Sequence, residues 1–197
     1  MFSRLLRTSI LLVALFTLLT GVVYPLFVTG IAQVLFPGKA NGSLLVKDGK
    51  LVGSELIGQP FSDPKYFWGR LSATSPFEYN AAASSGSNYG PLNPALVDQA
   101  LRRMQNLKKA DPENRQPVPV DLVTSSSSGL DPQISIASAL YQIPRVARVR
   151  GMSEERIRAT VGRFTEGRQL GLLGEPRVNV LMLNLALDED QKKSEGK

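Results

Sequence analysis

The chain contains no histidine and no cysteine. Without imidazole or thiolate there is no Ser-His-Asp or Cys-His site, and no zinc or transition-metal cluster of the usual ligands. Carboxylate, lysine and serine chemistry is left. The densest carboxylates, Asp188, Glu189 and Asp190, follow the last apolar run and precede a lysine-rich tail, which reads as a solvated chain end. Lys65 with Ser72, or the serines between Ser84 and Ser87 with a distant lysine, are the residue types of a Ser-Lys dyad, but no spacing supports the pairing. A phosphate cradle wants a glycine-rich loop between strand and helix, ideally followed by Lys-Ser or Lys-Thr. "SSGSNYG" (84–90) exposes backbone and leads toward a helix start at Asn93, where an anion could sit, yet it lacks the lysine and a clear preceding strand. "TSSSSGLDP" (124–132) has the better order, but Asp131 at the cap would repel phosphate. Structural capping is the favoured reading of both.

These segments need elements to hold them. "NGSLLVKDGKLVGSELIG" places Asp48-Gly49 between two short runs rich in leucine and valine, a two-residue hairpin signal. From Gln59 to Asn93 neither helical nor strand period fits, although most of the aromatics lie there: Phe61, Tyr66, Phe67, Trp68, Phe77, Tyr79 and Tyr89. A loop of that length either packs by its aromatics or serves a partner. Asn93-Pro94 reads as a helix cap followed by proline at the first helical position, with Val97, Ala100, Leu101, Met104 and Leu107 on one face up to Asp111-Pro112. A strand is expected over 118–124. Asp131-Pro132 repeats the cap-plus-proline device, and Pro144 is expected to kink or restart the helix that follows. Ser153 caps a further helix, with Glu154 and Glu155 at its positive end. The closing "EPRVNVLMLNLAL" reads as a strand interior to a sheet. The fold class is a single N-terminal transmembrane helix plus a mixed α/β soluble domain.

The N-terminus supplies the anchor. No charged residue stands between Thr8 and Gly38, and the apolar run 8–36 would reach roughly 43 Å as helix, more than the ~30 Å hydrocarbon core of a bilayer. A cleavable signal peptide is the competing reading, since Arg4 and Arg7 make a basic start and Gly30-Ile31-Ala32 imitates a cleavage site. An h-region of about 7–15 residues is much shorter than this run, which favours a retained helix. Short basic N-tails usually stay cytoplasmic. The expected organisation is a cytoplasmic tail 1–7, a transmembrane helix 8–36, a periplasmic α/β domain 37–190 and a frayed tail 191–197. The net charge of +6 is spread without a basic tract, which gives nucleic-acid binding little support.

Several strings together resemble the C subunit of the Kdp high-affinity potassium-transporting P-type ATPase, the KdpC family. They are "NGSLLVKDGKLVGSELIGQPF", "YFWGRLSAT" followed by "YNAAASSGSNYGPLNPAL", "VPVDLVTSSSSGLDPQIS", "ALYQIPRVARVRG" and "GEPRVNVLMLNLAL", in the family's order from the membrane helix nearly to the end. The sequence departs from the family pattern at Leu71 (usually Pro), Ser85 (Gly), Gln133 (His) and Ile136 (Pro), and the last two put in doubt any imidazole role there.

The resemblance implies an inner-membrane, single-span, non-catalytic subunit with its domain in the periplasm. Its implied partners are the potassium-binding channel-like subunit, the ATP-hydrolysing P-type subunit and a very small membrane peptide. The family is described as a catalytic chaperone that raises the ATP affinity of the hydrolysing subunit, so ATP is implied by resemblance only. A domain across the membrane from cytosolic ATP cannot touch it, but a subunit that favours one conformation of its partners can still change affinity. The residues expected to shape a docking or structural loop surface are Arg70, Ser72, Thr74, Asn80, Ser87, Asn88, Asn93, Asp131, Gln142 and Arg145. An exported periplasmic hydrolase using serine or carboxylates, and a nucleotide-binding regulator, are the alternatives.

Overall fold

An uncharged apolar run in lipid must satisfy its backbone N–H and C=O groups within itself, which a helix does. In the computed structural model, which describes residues 2–195, the N-terminal run is helical through α1 (Phe2–Leu18), a π-helical stretch (Leu19–Val23) and α2 (Tyr24–Leu35). Pro25, in the first turn of α2, has no N–H for the carbonyl of Gly21. The wider π turn just ahead of it takes up the mismatch without breaking the helix. Phe2–Leu35 is the one described helix long and apolar enough to cross a bilayer, and no residue of α1 or α2 is buried by the rest of the chain. Helix therefore starts ahead of the uncharged run and includes Arg4 and Arg7.

The chain divides into two units, the first ending at Ser54 and the second beginning at Glu55. In the first, a short helix α3 (Pro37–Ala40) is followed by the antiparallel hairpin β1 (Leu44–Lys47) and β2 (Lys50–Ser54). Asp48 and Gly49 both have positive φ, 51° and 73°, as a two-residue turn matching strand twist requires.

The second unit opens with a long segment free of helix and strand, then α4 (Pro94–Ala110). Asn93 caps α4 by accepting from the Ala95 amide at 3.0 Å, and Lys108 and Lys109 complement its C-terminal end. Where a strand is expected over 118–124, the chain instead makes a 3₁₀ turn at Val120–Leu122. Pro117 and Pro119 remove two ladder donors there, and Leu122 goes into the core without a partner strand. The helix expected at Asp131-Pro132 begins later. β3 (Gln133–Ser135) intervenes, and Ser135 caps α5 (Ile136–Arg150) by accepting from Ser138 at 3.1 Å. Pro144 does not interrupt α5, because Ile143, Arg145 and Val146 around it are buried and hold the helix in place.

α6 (Glu154–Arg163) carries its Ser153 cap as the sequence indicates, the hydroxyl accepting from Arg156 at 3.3 Å. β4 (Thr165–Glu166) and β5 (Arg177–Asn179) complete an antiparallel sheet in the order β3-β5-β4. The closing run is a strand only as far as Asn179. From there it is α7 (Val180–Glu195), capped by the Asn179 side chain, which accepts from Met182 at 3.1 Å. Val180, Leu181, Leu183, Ala186 and Leu187 are all buried, so the first half of α7 is apolar on nearly every side and its period is invisible. Phe67, Leu122, Ile134, Ile143, Val146, Ile157, Val178, Leu183 and Leu187 form the centre of the core.

Candidate functional site

Five of the ten residues singled out from sequence meet where the Arg70–Asn80 loop crosses the Ser125–Asp131 loop. Ser72 donates its hydroxyl to the Gly129 carbonyl at 2.7 Å and accepts from the Tyr79 amide at 2.9 Å. Thr74 donates to the Phe77 carbonyl at 2.7 Å and accepts from the Asn80 amide at 3.0 Å. The Asn80 amide group donates to Ser75 and accepts from Ala82, closing its own turn. Arg70 spans the two loops, donating to an Asp131 carboxylate oxygen and to the Ser125 carbonyl, each at 3.1 Å. Its Nε is buried with no partner among the described residues. The Ser84 hydroxyl and the Ser85 amide both donate to the Ser128 carbonyl, which stitches the serine strings to each other.

The approach is close enough to demand glycine. At Gly129, φ is +67°, and a Cβ would fall 2.5 Å from the Thr74 methyl and 2.6 Å from the Ser85 carbonyl. Tyr79 closes the loop from beneath, its hydroxyl donating to the Arg70 carbonyl at 2.6 Å. Burial pushes that phenol up to about 12.

Asp131 has a second task. Its other oxygen accepts from the Gln133 amide at 3.0 Å, and Asp121 likewise accepts from the Ser135 amide at 2.8 Å. Beside these carboxylates lies a groove of about 570 Å³, lined by Arg70, Asp121, Asp131, Gln133 and Arg177 among others. Asp121 also accepts from the hydroxyls of Ser135 and Ser138. Both aspartates thus hold backbone.

Gln142 and Arg145 belong to a different knot. The Gln142 oxygen accepts from the Trp68 amide at 2.8 Å and from Arg145 at 2.6 Å, while its nitrogen donates to the carbonyls of Trp68 and Ser138. Arg145 donates to the carbonyls of Pro64 and Tyr66, and its guanidinium lies 4.6 Å from the centre of the Trp68 ring. Burial lowers Arg145 to about 10, so it stays cationic at neutral pH.

Sequence reasoning missed the other half of this knot. Asn184 on α7 both accepts from and donates to the backbone of Phe67, each at 2.9 Å. Arg150 donates to the Lys65 carbonyl and pairs with Asp188 at 2.9 Å. Asp188 is therefore no solvated chain end: it sits on α7 and also accepts from the Tyr66 hydroxyl. The available signals were a lone amide within an apolar run at 184 and arginines amid the apolar residues of α5.

The remaining three residues join neither knot. Asn93 caps α4. Among the described residues the side chains of Ser87 and Asn88 have no hydrogen-bond partner, and Asn88, exposed, holds φ +52°. The Lys65 ammonium lies near Asp63 and over the Tyr66 ring, while Ser72 is bonded to backbone, so nothing joins them as a dyad among the described residues. What the arrangement does chemically is hold irregular backbone rigidly by neutral hydroxyls, amides and buried guanidinium groups.

The family model described as K+-transporting ATPase, c chain, matches residues 6–189. This chain belongs to the KdpC family. Among its relatives, the potassium-transporting ATPase KdpC subunit of Dechloromonas aromatica (strain RCB) is 63% identical over 190 residues, covering 96% of this chain and 100% of the relative. That of Methylococcus capsulatus is 63% identical over 182 residues, covering 92% and 96%, and that of Herpetosiphon aurantiacus is 60% identical over 183 residues, covering 93% and 95%. The crossed loops and the Trp68 knot both fall inside the span matched by the KdpC model.

Proposed function

We propose that this chain is the accessory, non-catalytic subunit of an ATP-driven potassium uptake complex. The observation that carries the reading is the match of the K+-transporting ATPase c-chain model to nearly the whole chain. In this reading the helix α1–α2 anchors the chain in the inner membrane, the short basic N-tail stays cytoplasmic, and the domain lies in the periplasm. There it contacts the channel-like potassium-binding subunit, with the ATP-hydrolysing subunit and a small membrane peptide completing the assembly.

The crossed loops suit that role, because a rigid surface does not lose conformational freedom on docking. Arg70, Ser72, Thr74, Asn80 and Asp131 hold its shape, and Ser87 and Asn88, exposed or half-buried without a described partner, present amide and hydroxyl groups to the neighbour. The chaperone effect on ATP follows from preference for one conformation of the hydrolysing subunit, with no contact between this chain and nucleotide.

Two measurements test it. Cells lacking this chain should fail to grow when external potassium is scarce, and unimpaired uptake there overturns the reading. In the purified complex, removing the chain should raise the ATP concentration for half-maximal turnover by roughly fivefold or more.

A further inference from the structure

The arms of the β4–β5 hairpin end in "GRQLGLLGEP", whose tip is built against its own interests. Gln169 and Leu173 close it with two backbone hydrogen bonds of 2.9 Å, leaving Leu170, Gly171 and Leu172 as the turn. Leu170, Leu172 and Leu173 are 92%, 79% and 61% exposed. Leu170 also has φ +54°, a left-handed conformation that costs a leucine energy and that glycine or asparagine adopts readily. Neither burial nor backbone geometry selects leucine at that position. Behind the tip the arms are held by two ion pairs, Arg168–Glu175 at 2.8 Å and Arg177–Glu166 at 3.1 Å. The apolar end thus stands on a stalk whose charges neutralise one another.

We propose that this tip inserts into the surface of the bilayer that holds the chain's own transmembrane helix. Clustered leucines without a tryptophan, tyrosine or unpaired arginine are poor material for a protein hot spot, where leucine is under-represented. They transfer well into hydrocarbon, which requires no matching shape. The paired arms can approach headgroups without bringing an uncompensated charge. Because the same chain crosses the bilayer, the tip is confined near lipid at high effective concentration, and a loop too weak to bind a membrane by itself suffices. The inference needs the anchor but neither the side of the membrane nor the subunit reading.

The absence of cysteine makes any introduced thiol unique. The full chain carrying Leu172→Cys, labelled with an environment-sensitive fluorophore, is reconstituted alone into phosphatidylcholine vesicles containing nitroxide-labelled lipid. Glu113→Cys, exposed and outside the hairpin, is the control. The expected result is blue-shifted emission and strong lipid-borne quenching at 172 but not at 113. Adding Leu170→Ser and Leu173→Ser should lower the inserted fraction by roughly tenfold or more. These exposed changes should leave the circular dichroism unchanged, which separates loss of insertion from loss of fold. Equal quenching at 172 and 113 overturns the proposal. So does shielding of 172 that appears only when the other purified subunits are co-reconstituted, which would make the tip a protein contact.

Discussion

Tyr79 carries the most direct residue-scale consequence. Its phenol is held at about 12 by burial against an ordinary 10.0. Below pH 10 it is neutral folded or unfolded, and its stabilisation is fully present. Between pH 10 and 12 the unfolded chain ionises first, so about 2–3 kcal/mol is lost across that window. Tyr79→Phe should forfeit about 1 kcal/mol at neutral pH with the bond to the Arg70 carbonyl, and should lack this alkaline loss. Arg145, a base held below its ordinary value, works in the opposite sense, so comparing the two proteins isolates the phenol. Gln142 is the other decisive side chain. Gln142→Leu leaves the buried Trp68 amide and carbonyl without partners and should cost about 2–3 kcal/mol. Gln142→Glu keeps the acceptor for Trp68 and Arg145 but turns a carboxylate oxygen on the carbonyls of Trp68 and Ser138, so it should cost about as much. Fluorescence of Trp68, the sole tryptophan, reports unfolding in both. Arg70 and Asp131 are singled out in the sequence as loop-shaping residues; that they pair with each other across the loops was not legible, since the two are brought together only by folding.

At the scale of elements, what was legible depended on punctuation. The Asp48-Gly49 turn, the Asn93-Pro94 start of α4 and the Ser153 cap of α6 each carry a local chemical device, and all three form. Elements set by burial were misread. The first half of α7 is apolar nearly all round and looks like a strand, Leu122 fills the core from a 3₁₀ turn, and Ser135 outcompetes Asp131 as the α5 cap because Asp131 is engaged with Arg70 and Gln133. The backbone of the irregular Pro64–Trp68 segment takes side-chain partners from α5 and α7. Asp188→Ala would leave the buried Arg150 without its carboxylate, and because Asp188 is partly exposed the cost should be about 2 kcal/mol. Thermal unfolding of the detergent-solubilised chain measures it; an unchanged midpoint would mean that α7 is not clamped to α5 through this pair.

For the whole molecule, the decisive question is which side of the membrane the second unit occupies. A reporter active only outside the cytoplasm, fused after Lys197, is expected to work, while a cytoplasm-specific reporter at the same place should stay silent. The reverse pattern would put the domain beside cytosolic ATP and remove the reason for an indirect effect. Topology of this kind follows from the charges flanking the helix, whereas the sheet at the heart of the domain answers a different hazard. Three short strands with an open side are a template on which a second copy could grow. The amides that β3 turns away from β5 are already occupied by the carboxylates of Asp131 and Asp121. A chain arriving at that border finds those donors taken, so growth of the sheet from its β3 edge is blocked by two side chains that also shape the loops.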